Sequence, residues 1–185
     1  MKPLKMKKLI YIVFFCMLVI AGFLGCATFQ KNPVTKAVAV LRSNPEFKIS
    51  GTITFIQEGA DVRIIFDAEG LTPGKHGIHI HEFGDIAAAD FSSAGSHFNP
   101  YNKAHGSPLD KERHLGDLGN IEADKSGRAK GSFLDTRISL TGTNAIIGRS
   151  VIIKEKADDF TTQPGGGAGK RIAAGIIGIS LMPGD

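Results

Sequence analysis

Residues 74–117 read GKHGIHIHEFGDIAAADFSSAGSHFNPYNKAHGSPLDKERHLGD, and this stretch holds all six histidines of a 185-residue chain. Aspartates lie between them, and a His-rich tract of this kind points to metal. Lys75 to Glu82 has the pattern of a strand. His79 and His81 are one residue apart, so on a strand they share a face, while Ile78 and Ile80 point the other way. Two imidazoles side by side on a rigid strand make half of a metal site. His76 has the opposite parity and is assigned a structural role, hydrogen-bonding the loop above. From Phe83 to Gly116 the sequence is rich in Gly, Ser, Asn and Pro and predicts a long loop. A loop of that length in a compact domain needs a function or an anchor. His97, His105, His114 and Asp117 supply one, because three imidazoles and a carboxylate suit tetrahedral zinc.

The flanking sequence predicts β-structure throughout. Ala37 to Leu41 opens the pattern, and Arg42-Ser43-Asn44-Pro45 is a turn signal. Phe47, Ile49, Ile53 and Phe55 alternate with Lys48, Ser50, Thr52 and Thr54, the period of a half-buried strand. Gly51 falls on the apolar face and suggests a bulge. Val62, Ile64 and Phe66 alternate in the same way, with Gly59-Ala60-Asp61 as the hairpin turn between the two strands. Gly70 to Gly74 is a turn before the histidine strand. Beyond the loop, Leu118–Ala123 and Arg128–Leu134 read as strands joined by Asp124-Lys125-Ser126-Gly127. Ile138 to Gly148 is a connection, and Arg149–Lys154 a short strand. Glu155–Lys170 is a second loop ending in a glycine run, and Arg171–Leu181 is a closing strand. About eight short strands at this spacing predict an all-β Greek-key sandwich or flattened barrel.

The sequence pI near 9.1 comes from one end of the chain. Lys2, Lys5, Lys7 and Lys8 precede an apolar run, Leu9 to Leu24. Setting them aside leaves 18 of the 22 basic residues against 18 acidic ones. A neutral domain without basic–aromatic interleaving excludes nucleic acid as a partner. The basic start and the apolar run form a signal peptide, residues 1–25; the run is short for a membrane span of ~20 residues. Phe23-Leu24-Gly25-Cys26 resembles a bacterial lipobox, which would leave Cys26 lipidated at the head of a tether, residues 26–36, with the domain at 37–185. The expected location is therefore the bacterial cell envelope, periplasmic or surface-facing, with a lipid anchor in the membrane. An uncleaved anchor and ordinary secretion are the other readings of this segment. Cys16 and Cys26 are the chain's two cysteines, so the domain can form no internal disulfide.

The motifs resemble those of the copper–zinc superoxide dismutases over Gly70–Asp85, Ser93–Gly127, Ile146–Asp159 and Gly169–Ser180. The resemblance implies that His79, His81 and His97 bind copper, with His97 bridging to a zinc ion completed by His105, His114 and Asp117. It implies that Asp158 links His79 to His105, and that Arg171 guides the superoxide anion. It also marks two departures. The family's fourth copper-ligand histidine falls at Lys154. Deprotonating a lysine at pH 7 from a free pKa near 10.4 costs about 4.6 kcal/mol, and an ammonium left beside copper would repel it. The positions of the family's disulfide are taken by Phe91 and Ala174, for which apolar contact is the expected replacement.

The family's reaction converts superoxide to dioxygen and hydrogen peroxide by cycling copper between two oxidation states. Of the histidines the family keeps on reduced copper, His79 and His81 would remain here. The expected function is that of a dismutase with an intact zinc site, a degenerate copper site and weak or absent activity. The other expectation is a non-catalytic, zinc-stabilised envelope protein that binds a partner or buffers metal. A copper chaperone is disfavoured, because the chain has no separate metal-transfer domain and no Cys-x-Cys tail.

Overall fold

The computed structural model describes residues 34–181. The expected signal segment, Cys26 and most of the expected tether lie outside that range. Among the described residues, ten strands form two five-stranded antiparallel sheets. In chain order they are β1 Lys36–Val40, β2 Arg42–Ser43, β3 Ser50–Glu58, β4 Asp61–Glu69, β5 Gly74–His81, β6 Asp117–Ala123, β7 Ala129–Asp135, β8 Ser150–Lys154, β9 Arg171–Ile176 and β10 Gly178–Ile179. One sheet has the order β10-β1-β3-β4-β7, the other β2-β9-β8-β5-β6. The chain leaves the first sheet after β4, returns for β7 and crosses again to β8. This is a Greek-key sandwich with open edges rather than a closed barrel.

Alternation explains the first sheet. On β3, Ile53 and Phe55 are buried; on β4, Val62, Ile64, Phe66 and Ala68 are. Arg63, Ile65 and Asp67 alternate with them on the less buried face. Each large apolar side chain sequestered this way contributes about 1.5–3 kcal/mol of transfer free energy. The second sheet is covered on both faces. Ile78, Ile80, Val151 and Ile153 face the inter-sheet core. Ile152 and Ala174 pack on the other face against Phe91 and Ala94 of the covering loop, a small cluster of their own. Phe91 and Ala174 thus fall in the same buried apolar cluster.

Four sequence readings change. Arg42–Ser43, read as a turn, forms the short strand β2 against Ala173 and Ala174, so the chain switches sheets at Leu41. The closing strand is two strands: Ile177 bonds to Arg149 and Gly148 by its N–H and carbonyl, and the chain passes back to the first sheet as β10. Gly51 is no bulge, for its pairing with Ala68 is in unbroken register. It is required because a Cβ there would sit 2.1 Å from the Asp67 carbonyl oxygen. The irregularities lie instead at Gly77/His79 and Ile153/Lys154, both beside the histidine cluster. Finally, the strand count is ten rather than about eight, because β2 and β10 are two-residue strands.

Candidate metal centre

Residues 82–116 fold back over the outer face of β5. His97 pairs with His81 in an isolated bridge. Phe98 N–H donates to the Ile80 carbonyl at 2.8 Å, and Ile80 N–H to the Gly116 carbonyl at 2.9 Å. Gly116 must be small, since a Cβ would lie 2.2 Å from Ile80 O. This pairing brings loop histidines onto strand histidines. His79 and His97 rings stack with centroids 4.0 Å apart, and His81 meets His97 edge-on at 5.0 Å.

His97, His105, His114 and Asp117 converge, all buried, with their donor atoms within 4.8 Å of one another. Asp117 Oδ1 lies 2.8 Å from His97 Nδ1, 3.0 Å from His105 Nδ1 and 3.1 Å from His114 Nδ1. His97 Nδ1 and His114 Nδ1 are 3.4 Å apart. A tetrahedron of zinc–ligand bonds near 2.0–2.1 Å has edges of about 3.3 Å, so these spacings suit a shared cation. Hydrogen bonding explains them less well. His105 Nδ1 is close to Asp117 but misaligned, and remains without a hydrogen-bond partner. Asp117 is aimed by its other oxygen, which accepts from the backbone N–H of His114 at 2.8 Å and of Gly106 at 3.2 Å.

His81, His97, Lys154 and Arg171 line a cavity of about 620 Å³. Near it, His79 Nδ1 and His81 Nε2 are buried without any partner. Their opposite nitrogens are fixed: His79 Nε2 meets Asp158 Oδ2 at 2.7 Å, and His81 Nδ1 donates to the Gly95 carbonyl at 3.0 Å. Burial lowers the pKa of both rings, well below the usual value for His81. It also takes His97 down to about 3. Neutral imidazoles with orphaned lone pairs are what a transition-metal cation requires, so both metals fit the residues present.

Asp158 connects the two halves. Its other oxygen lies 2.9 Å from His105 Nε2. Burial opposes charge on His105, but Asp117 and Asp158 outweigh it and push the pKa up to about 9. Asp158 itself is pinned by Asn120, whose side chain donates to its carbonyl at 3.0 Å and accepts from its N–H at 2.7 Å. His76 lies off the site, as expected. Its Nδ1 is 2.8 Å from the Lys154 carbonyl and its Nε2 faces Thr72, so it ties β8 to the turn before β5.

Lys154 ends β8 at the cavity wall. Burial, then repulsion from Arg171, lowers its pKa from 10.5 to about 8. Arg171 is held by two loop carbonyls, Phe91 O and, at 2.8 Å, Gly95 O.

Several positioning residues escaped the sequence reading. Gln163 brackets the backbone of His105, accepting from its N–H at 2.8 Å and donating to its carbonyl at 2.9 Å. Arg113 is buried and donates to the carbonyls of His114, Leu115 and Asp117, and to Asp135 on β7. Only Asn120 carried a local signal, because Asn is depleted in strand interiors.

The family model described as copper/zinc superoxide dismutase matches residues 49–177. The chain belongs to the copper/zinc superoxide dismutase family. The superoxide dismutase (Cu-Zn) of Yarrowia lipolytica is 46% identical over 156 residues, covering 80% of this chain and 99% of the relative. That of Paramecium bursaria Chlorella virus 1 is 41% identical over 179 residues, covering 93% of each. An extracellular superoxide dismutase (Cu-Zn) of Brugia pahangi is 45% identical over 162 residues, covering 81% of this chain and 80% of the relative. A solved structure titled as the clock protein EA4 superposes with a TM-score of 0.75 at 41% identity, covering 83% of this chain and all of that one. Zinc and copper are the metals of this dismutase family.

Proposed function

We propose that the protein is an exported superoxide dismutase whose catalytic rate is reduced by Lys154. In this reading His97, His105, His114 and Asp117 hold zinc, and His79, His81 and His97 hold copper. Copper bound there supplies the one-electron chemistry that disproportionates superoxide. Asp158 orients His79 and His105 together, so the two sites are positioned by one carboxylate. Arg171, fixed by the Phe91 and Gly95 carbonyls, draws the anion into the cavity. In this reading Lys154 takes the position that the family resemblance assigns to a fourth imidazole. Its amine cannot reproduce imidazole geometry, and its charge opposes a neighbouring cation. Phe91, Ala94, Ile152 and Ala174 replace the family's disulfide by apolar packing. Cleavage before Cys26 and its lipidation would tether the domain to the bacterial envelope; one relative named as extracellular supports a location outside the cytoplasm.

The observation that carries the reading is the pair of buried, unpartnered nitrogens, His79 Nδ1 and His81 Nε2, near a cavity walled by Arg171. The test is metal content after loading with both metals, with a dismutase assay on the same sample, for the natural chain and Lys154→His. One zinc, partial copper and low activity are expected, with activity and copper affinity rising about tenfold or more in the variant. Zinc alone with no activity in either protein would sink the reading in favour of a structural zinc protein. A full family rate in the natural chain would refute the role given to Lys154.

A further inference from the structure

Lys154 closes β8 with its backbone held on both sides. Its carbonyl lies 2.8 Å from His76 Nδ1, and it pairs across the sheet with Arg171, the first residue of β9. The side chain is half-buried and lines the cavity that also holds His81 and His97. Among the described residues, carboxylate ion pairs engage Lys103, Lys130 and Lys170; Lys154 belongs to none. The acids around it are committed elsewhere. Glu46 and Asp90 share a recess of about 370 Å³ with Lys154, but Glu46 meets Lys170 at 2.6 Å and Asp90 accepts from the Ser92 N–H at 2.9 Å. Asp158 is taken up by His79 and His105. An ammonium set opposite a guanidinium destabilises the sheet, and this one has no carboxylate within ion-pair distance.

The amine itself has a chemical way out of this conflict. A neutral primary amine adds carbon dioxide. The Nζ lone pair bonds to the carbon, one C=O π pair moves onto oxygen, and the proton displaced from nitrogen passes to water. Nothing is oxidised or reduced, and one positive charge is replaced by one negative charge. We infer that Lys154 is a carbamylation site, its side-chain nitrogen carrying a carboxylate formed from carbon dioxide at the wall of the histidine cavity. Three features select this lysine. Its nitrogen is not sequestered in an ion pair. Its cross-strand neighbour is a guanidinium held by the Phe91 and Gly95 carbonyls, so the addition turns a like-charge pair into an opposite-charge one. Burial and that neighbour also bring its pKa to about 8, whereas a free lysine near 10.4 is almost wholly protonated at pH 7. Ser96, Thr162 and Gln163 supply polar groups at the same wall. The modification turns a residue that repels a metal cation into one that offers an oxygen, and oxygen beside imidazole is a donor set that copper(II) accepts. That consequence rests on the copper reading above. The carbamate does not, because its formation needs no metal.

The experiment is carbon NMR of the full chain as purified, equilibrated with carbon-13 bicarbonate at about pH 8, where the amine is partly neutral. One saturable carbamate resonance is expected, lost when carbon dioxide is removed. Trapping with an oxonium alkylating agent should fix the added carboxyl group on Lys154 and block tryptic cleavage after it. Lys154→Arg keeps a positive charge but has no amine to carbamylate, and should lose the resonance. Absence of a carbamate resonance in the natural chain overturns the proposal, and that result needs no variant to fold. A resonance of equal intensity in Lys154→Arg overturns it too, since the carbamate then sits on another amine. Copper(II) affinity, compared in bicarbonate and in carbon-dioxide-free buffer, should rise about tenfold or more in the natural chain relative to Lys154→Arg. A carbamate that forms without that gain supports the modification and refutes its service to copper.

Discussion

Lys154 is the residue on which the proposed loss of catalytic rate turns. A free lysine would have to give up about 4.6 kcal/mol to present a neutral amine at pH 7. In its place on β8, burial and then Arg171 lower the pKa to about 8, and the same deprotonation costs about 1.4 kcal/mol. The sign follows from linkage. The unfolded chain binds this proton more tightly than the folded one, so the lysine's penalty on stability is fully present below about pH 8. It disappears as pH rises toward the unfolded value of 10.5. Copper uptake should follow the same group, because the neutral amine neither repels the cation nor lacks a lone pair. Copper(II) affinity, read from competition with a chromophoric chelator, should therefore rise with pH between about 7 and 9 in the natural chain. In Lys154→Met the rise over that interval should vanish. A slope that survives the substitution would show that another group sets it.

At the level of strands and loops, positions separated in sequence do the positioning. Asp158 and Gly166 belong to the loop between β8 and β9, yet they set the orientation of His79 on β5 and of His105 in the earlier loop. A Cβ at Gly166 would lie 1.9 Å from Asp158 Oδ1 and 2.7 Å from His105 Nε2. Gly166→Ala should lower zinc affinity by roughly 10–100-fold, the usual effect of breaking a carboxylate–histidine link. Gly142→Ala is the control. Its φ of +80° imposes similar backbone strain, but no atom lies near the added methyl, so zinc affinity should be unchanged. Equal losses in both would mean that strain alone matters. The same non-locality limits what a sequence discloses. β3 and β4 were legible because apolar and polar residues alternate over their length, and His79 and His81 because a strand puts alternate residues on one face. β2 and β10 have two residues each and no period to detect. The break at Ile177 is made by bonds to Arg149 and Gly148, far away in sequence. Six candidate ligands could be named from residue type and spacing, and four of them, His97, His105, His114 and Asp117, converge. Gln163, Arg113 and Gly166 could not, since each acts by touching something its own neighbourhood does not contain.

For the molecule as a whole, the long loop and the metal sites are one thermodynamic problem. Residues 82–116 cover the outer face of the second sheet without a disulfide, because both cysteines precede residue 27. Their order rests on the Phe91 cluster, the Arg113 contacts and the four groups around Asp117. A cation at that quartet closes the loop onto the base of β6, and the unfolded chain offers no such site. Binding energy is then folding energy: at a thousandfold excess over its dissociation constant, zinc adds about 4 kcal/mol. For a domain of this size each kcal/mol moves the melting temperature by roughly 2–4 °C. Chelation should lower it by about 8–16 °C, and zinc added back should restore it. The loss should also be uneven. The amides of His105, Gly106 and His114 bond to side chains held at or beside the quartet, and their hydrogen exchange should quicken first. Those of Ile53, Phe55 and Ile64 lie inside the other sheet, where β3 pairs with β1 and β4 with β7, and should exchange only with global unfolding. Chelation that leaves the melting temperature unmoved, or quickens both sets equally, would mean that the loop stands on its packing alone and that the quartet is not where the molecule's stability is gained.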